Sequence, residues 1–66
     1  MRKRFVVITP TRDEERTVAA TIRSMLAQTA RPERWVIVND GSTDRTAEIV
    51  EKHLPDNPWI ELVTRA

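Results

Sequence analysis

The sequence predicts an α/β fold, a βαβαβ unit whose three parallel strands lie in the order 3-2-1. Three observations predict it. Phe5, Val6, Val7 and Ile8 form a continuous, largely β-branched apolar run, and Trp35, Val36, Ile37 and Val38 repeat that pattern. Such runs suit strands covered on both faces, as in parallel sheets. Each is followed by an amphipathic helical stretch, and Trp59, Ile60, Leu62 and Val63 supply a third apolar segment. Right-handed crossovers between successive strands then make them parallel neighbours.

The first strand is predicted to stop at Pro10, which cannot donate to a ladder. Thr11 and Glu14 have the spacing of a capping box, so the first helix should begin near Thr11. Val18, Ile22, Met25 and Thr29, with Ala19 and Leu26 beside them, make one apolar stripe, and Arg16 and Arg23 lie elsewhere on the helix. Ala30, Arg31 and Pro32 close it, because a proline pushes the residue before it out of helical geometry. After the second strand, Asn39, Asp40, Gly41, Ser42 and Thr43 are turn and N-cap residues. Ala47, Val50 and Leu54, with Ile49 flanking, mark the second helix, and 55–58 break it before the third strand.

Sixty-six residues make at most one small domain, and a chain of that size buries only about 60% of the surface its unfolded form exposes. With no cysteine and one histidine, neither disulfides nor a structural zinc can reinforce the core, which points to an incomplete domain. Eleven basic against ten acidic residues leave a formal net charge of +1, an argument against a nucleic-acid partner or an anionic membrane surface. The apolar run at 5–8 is far shorter than a membrane span or a signal-peptide core, and Arg2, Lys3 and Arg4 read as a solvated strand entry. Cytoplasmic localisation is compatible with the lack of cysteine.

In open α/β sheets ligands bind outside the carboxyl ends of the strands, which places 9–15 and 39–44 side by side as the functional candidates. Gly41 is the only glycine, so neither a GxGxxG fingerprint nor a phosphate-binding P-loop is present. His53, alone near a helix end, reads as packing or C-terminal capping, and without another histidine or an elbow around Ser24 or Ser42 it supports no zinc site or Ser-His-Asp triad. Asp40 directly follows a strand and can accept hydrogen bonds from the imide or hydroxyl donors of a nucleoside, and Gly41 lets the backbone pass closely. The alternative is that Asp40 and Ser42 only organise the turn and cap the second helix. Asp13, Glu14 and Glu15 could be imagined as a metal cluster, but on a first helical turn they favour the positive end of the dipole.

The segments VVITPTRDEERTVAATIRSMLAQT and WVIVNDGSTDRTAEIVEKHL together resemble the start of a family 2 glycosyltransferase of GT-A fold. VNDGSTDRT is close to the family's V-[DN]-D-G-S-x-D-x-T, and SMLAQT lies at the expected distance before it. The resemblance implies that 1–66 is the Rossmann-like, nucleotide-binding part of a domain whose remainder is absent. It implies transfer of a sugar from a UDP- or GDP-linked donor to an acceptor hydroxyl by the full-length protein. Pro10 and Thr11 fall where the family lines base and ribose, Glu14 near the nucleoside, and Asp40 where a carboxylate bonds the base, with Gly41 and Ser42 completing the turn. Arg12 and Asp13 replace the family's frequent Tyr-Asn, so a guanidinium takes the place of an aromatic ring against the base.

The resemblance also implies a divalent metal, Mg or Mn, whose Asp-x-Asp motif, like the catalytic base, is not among these residues. No catalytic or metal-ligating residue is therefore assigned, and no turnover is expected from the 66 residues alone. Attachment to the cytoplasmic face of a membrane stays open for the full-length protein. The runner-up is a non-catalytic nucleotide-binding or interaction module. A receiver-like phosphoacceptor domain would want paired acids after the first strand and a lysine after the last, and the lysine is missing. With one outer strand edge unpaired, the fragment is expected to self-associate or to melt with weak cooperativity.

Overall fold

A computed structural model describes residues 5–41 and 43–65. Arg2, Lys3 and Arg4, the expected strand entry, and Ser42, a candidate site residue, lie outside the described residues. The elements follow the expected alternation: β1 (Val6–Thr11), α1 (Val18–Leu26), β2 (Arg34–Asp40), α2 (Thr46–Glu51) and β3 (Ile60–Arg65). All pairing is parallel, β1 with β2 and β2 with β3. The order is β1-β2-β3 and not the 3-2-1 written from the sequence. The neighbours are unchanged, with β2 central, and the list starts from the opposite edge.

One face of the sheet carries the core. Trp35 and Ile37 of β2 and Ile60 of β3 are sealed together with Val18 and Ile22 of α1 and Val50 of α2. Trp35, the largest of these, stacks on Trp59 at 6.4 Å and donates its Nε1–H to Thr9 Oγ1 at 2.9 Å, so its one polar atom is satisfied inside. The Arg31 guanidinium lies over the Trp59 ring, 5.5 Å from its centre.

The other face is open, which corrects the expectation of strands buried on both sides. Val6 and Ile8 are 53% and 67% exposed, and β1 alternates exposed with half-buried residues until Thr11. Register puts Ile8 beside Val36, and Val38 beside Val63, on that face. Exposed ion pairs flank this apolar strip: Arg34 with Glu61 at 3.2 Å and Arg65 with Asp40 at 3.6 Å.

Pro10 does not end β1. The strand continues to Thr11, opposite Asn39. β1 lies at the sheet edge, where a missing N–H is tolerated because only one side is paired. The Thr11–Glu14 capping box is likewise not formed: Thr11 Oγ1 donates to the Val38 carbonyl, and the Glu14 amide donates to Thr46 Oγ1. α1 starts seven residues later than Thr11, at Val18, so Asp13, Glu14 and Glu15 precede the helix and its first turn holds no acidic residue. Val18 and Ile22 form its buried stripe with Met25 and Leu26 half-buried, and Thr29 lies beyond its end, exposed. α2 is shorter than the periodicity implies; Leu54 packs on the core from the turns after it. His53 caps as expected, its Nδ1 3.0 Å from the Ile49 carbonyl.

Candidate functional site

The loops leaving the carboxyl ends of β1 and β2 are adjacent because those strands are paired from Val6↔Arg34 through Thr11↔Asn39. They are also bonded to each other in both directions. From the first loop, Asp13 Oδ1 accepts the Thr43 amide at 2.8 Å and the Thr43 hydroxyl at 3.3 Å. From the second loop Asp44 Oδ2 accepts the Glu15 amide at 3.1 Å, and from the first residue of α2 Thr46 Oγ1 accepts the Glu14 amide at 2.8 Å. Asp44 Oδ1 accepts both the Thr46 amide, at 2.9 Å, and the Thr46 hydroxyl. The single hydroxyl proton of Thr46 thus points at Asp44, and an oxygen lone pair is left for the Glu14 N–H.

Thr46 is fully buried although polar, since its hydroxyl is used as both donor and acceptor. Hydrogen bonds from the Thr46 hydroxyl and from the Thr46 and Glu15 amides hold the Asp44 carboxyl below its usual 3.8, against a smaller desolvation effect in the opposite direction. Asp44 also satisfies the Thr46 amide where α2 begins, the capping duty that sequence reasoning had offered to Asp40 and Ser42.

Backbone strain collects at the same rim. Asp13 has φ of 49°, and a non-glycine residue there costs about 1 kcal/mol or more unless its surroundings hold it. Its carboxylate bonds to Thr43 are such a hold. Gly41 has φ of 69°, which glycine adopts freely, and its amide donates to the Arg65 carbonyl at 2.9 Å.

The candidate binding residues do not all meet. Pro10 is exposed beside Val38, and Thr11 is buried with its hydroxyl on the Val38 carbonyl. Arg12 and Glu14 are exposed on the first loop. Asp40 is half-buried at the end of β2 on the open side of the sheet, with Arg65 of β3 as its ionic neighbour. At 3.6 Å and with both side chains at least half exposed, that pair is worth about 1 kcal/mol or less, so a ligand donor can compete for the carboxylate.

Asn39, read from sequence as a turn residue, belongs to β2 and is 3% exposed, and its Oδ1 has no hydrogen-bond partner among the described residues. A buried acceptor without a partner costs about 1–3 kcal/mol. It sits in register with Thr11 on one side and Thr64 on the other, just beneath the rim. The sequence assigns no binding role to Asp13, Asp44 or Thr46: Asp13 reads as a helix-dipole acid, and Asp44 and Thr46 stand only as fixed positions of the V-[DN]-D-G-S-x-D-x-T pattern.

No group of three or more His, Cys, Asp or Glu side chains among the described residues could hold a metal ion. Asp13, Glu14 and Glu15 therefore do not make the metal cluster that their adjacency allowed, and the described residues do not fit the divalent ion implied by the resemblance. Among the described residues, no helix is long and apolar enough to cross a membrane.

Comparison with known proteins returned no match among curated proteins and none among solved structures. The family model described as glycosyl transferase family 2 matches residues 6–66, which takes in all five elements and both rim loops. The chain belongs to glycosyl transferase family 2.

Proposed function

We propose that the chain is the nucleotide-binding part of a glycosyltransferase that moves a sugar from a UDP- or GDP-linked donor to an acceptor hydroxyl. Family membership supports glycosyl transfer. The observation that carries the nucleotide assignment is the pair of cross-bonded loops at the carboxyl ends of β1 and β2, the rim where open parallel sheets take ligands. In this reading Asp40 accepts a hydrogen bond from the base, exchanging its loose pairing with Arg65 for a ligand N–H. Pro10 and Thr11 line base and ribose, Arg12 stacks or pairs with the nucleotide, Glu14 lies near the nucleoside, and Gly41 and Ser42 belong to the turn that follows Asp40.

No catalytic residue is assigned, and a divalent ion, Mg or Mn, would be held by residues other than those described. The same observation favours a second reading, a non-catalytic nucleotide-binding or interaction module. An Asp-x-Asp motif in the sequence that follows these residues would favour the transferase over that module.

The test is an NMR titration with UDP, GDP and their nucleosides, following the Thr11, Asp40 and Gly41 amides. Saturable shifts there are expected. Asp40→Asn should weaken binding by about tenfold or more, the size of one charge-assisted hydrogen bond. Arg65→Ala should leave affinity equal or raise it, because it frees the carboxylate. Silence at millimolar ligand would refute the assignment.

A further inference from the structure

Building on that nucleotide-binding reading, we propose that Asp44 and Thr46 are positioning residues, which lock residues 13–15 onto the start of α2 and so fix the first loop at the rim without touching the ligand. The carboxylate and hydroxyl act as one relay. Asp44 Oδ1 takes the Thr46 proton, which orients the Thr46 oxygen toward the Glu14 amide, and Asp44 Oδ2 takes the Glu15 amide directly. Two consecutive amides of the first loop are therefore fixed by one side chain of the second loop and one at the start of α2, across 29 and 32 residues of sequence.

These bonds act on the segment that carries Arg12 and Glu14. The left-handed Asp13 lies between those two residues, so the loop path at that point is set by tertiary bonds and not by local preference. Asp13 grips Thr43 from its own side, completing a reciprocal clasp. α2 anchors the relay: Thr46 is its first residue and, like Val50 one turn on, is wholly buried. The clasp thus ties ligand-binding geometry to the packed core through a single short helix.

The chemistry separates the two side chains' contributions. Asp44→Asn keeps one carbonyl oxygen for the Thr46 hydroxyl but turns an NH2 toward the Glu15 amide, so that bond is lost and two donors face each other. Thr46→Val keeps volume and removes the acceptor for the Glu14 amide. Thr46→Ser keeps the hydroxyl and removes one methyl.

The experiment measures UDP and GDP affinity by NMR for the wild-type chain and these three variants, with hydrogen exchange of the Glu14 and Glu15 amides. It is run at a temperature where each variant is folded. Ile49→Ala, on the same helix but with no side-chain bond in the clasp, serves as a control for mere destabilisation. Thr46→Val and Asp44→Asn should each bind about tenfold more weakly and exchange faster at residues 14 and 15. Thr46→Ser should restore both to within about twofold, and Ile49→Ala should match wild type in affinity. A wild type that binds while Thr46→Val binds equally well overturns the positioning role and leaves the nucleotide reading standing. Equal losses in Ile49→Ala and Thr46→Val reduce Thr46 to a structural residue and likewise overturn it. A wild type that binds neither nucleotide refutes the nucleotide reading, and the positioning role falls with it.

Discussion

Trp35 and Ile37, on the helix-covered side of β2, are each 1% exposed and sit in one apolar cluster with residues from both helices and from β3. At the rim, a few residues further along the same strand, buried side chains are polar ones such as Thr11 and Thr46, and the loops are held by directional bonds among Asp13, Thr43, Asp44 and Thr46. Apolar burial tolerates small shifts, since it scales with area removed from water. Hydrogen bonds depend steeply on distance and angle. The core therefore decides whether the chain folds, and the rim decides what shape it offers a ligand. Substitutions should separate these two properties.

The largest effect is expected in the core. Trp35→Ala removes a fully buried ring and strands Thr9, a change of about 3–5 kcal/mol, comparable with the whole stability of a domain this small. Circular dichroism should show loss of a cooperative melt. Ile22→Ala, at a site with no exposure, should cost about 2–5 kcal/mol and do the same or nearly so. Retention of a wild-type melting temperature by either would break the distinction between core and rim.

Gly41→Ala should cost about 1 kcal/mol, read from denaturant unfolding. A Cβ at Gly41 would meet no atom within 4 Å, so the expense is backbone strain at φ 69° alone. Affinity should fall alongside, because the turn beside Asp40 would relax toward negative φ.

Acid should act on the rim before the core. Asp44 and Glu48 are both lowered from their usual 3.8 and 4.5, Asp44 chiefly by the Thr46 hydroxyl and Glu48 by Arg45. Lowered carboxyls contribute stability that is present above their unfolded values and lost as pH falls through the folded ones. Stability measured against pH should thus decline below about pH 4. In Thr46→Val the Asp44 share of that decline should shrink. An unchanged acid limb in Thr46→Val would show that the hydroxyl does not hold the carboxylate.

The open sheet face should matter least to stability. Ile8→Thr removes apolar surface that is already 67% exposed and should change melting little, but it should lessen any concentration-dependent association seen by sedimentation. Arg34→Ala breaks an exposed pair and should shift stability by about 0.5 kcal/mol or less.

The alternation of strands and helices was legible because buried β2 and the α1 stripe leave strong apolar patterns at 35–38 and at 18, 22 and 25. Less legible was where β1 gives way to α1. Thr11 and Glu14 have capping spacing, but both found distant partners, in the Val38 carbonyl and the Thr46 hydroxyl. A local motif states what a side chain could do, and tertiary neighbours decide what it does. The continuous run at 5–8 could not distinguish a covered strand from an edge strand with one bare face, since both are equally apolar in sequence.

At the site, strand-end logic put Asp40 and Gly41 beyond the second strand, whereas Asp40 is the last residue of β2, paired with Arg65, and only Gly41 lies past it. It could not foresee the clasp, because bonds joining residues about 30 positions apart follow no local period. Nor could it tell Asn39 from a turn residue; only pairing with Thr11 and Thr64 draws it into the strand and buries it.

The most direct measurement is the amide titration of the wild-type chain with UDP and GDP, comparing rim with core. Saturable shifts at Thr11, Glu14 and Gly41, with Ile22 and Ile37 unmoved, are the expected result. No movement at millimolar ligand, or movement confined to Ile8, Val36 and Val63 on the bare side of the sheet, would contradict a nucleotide site at the strand ends.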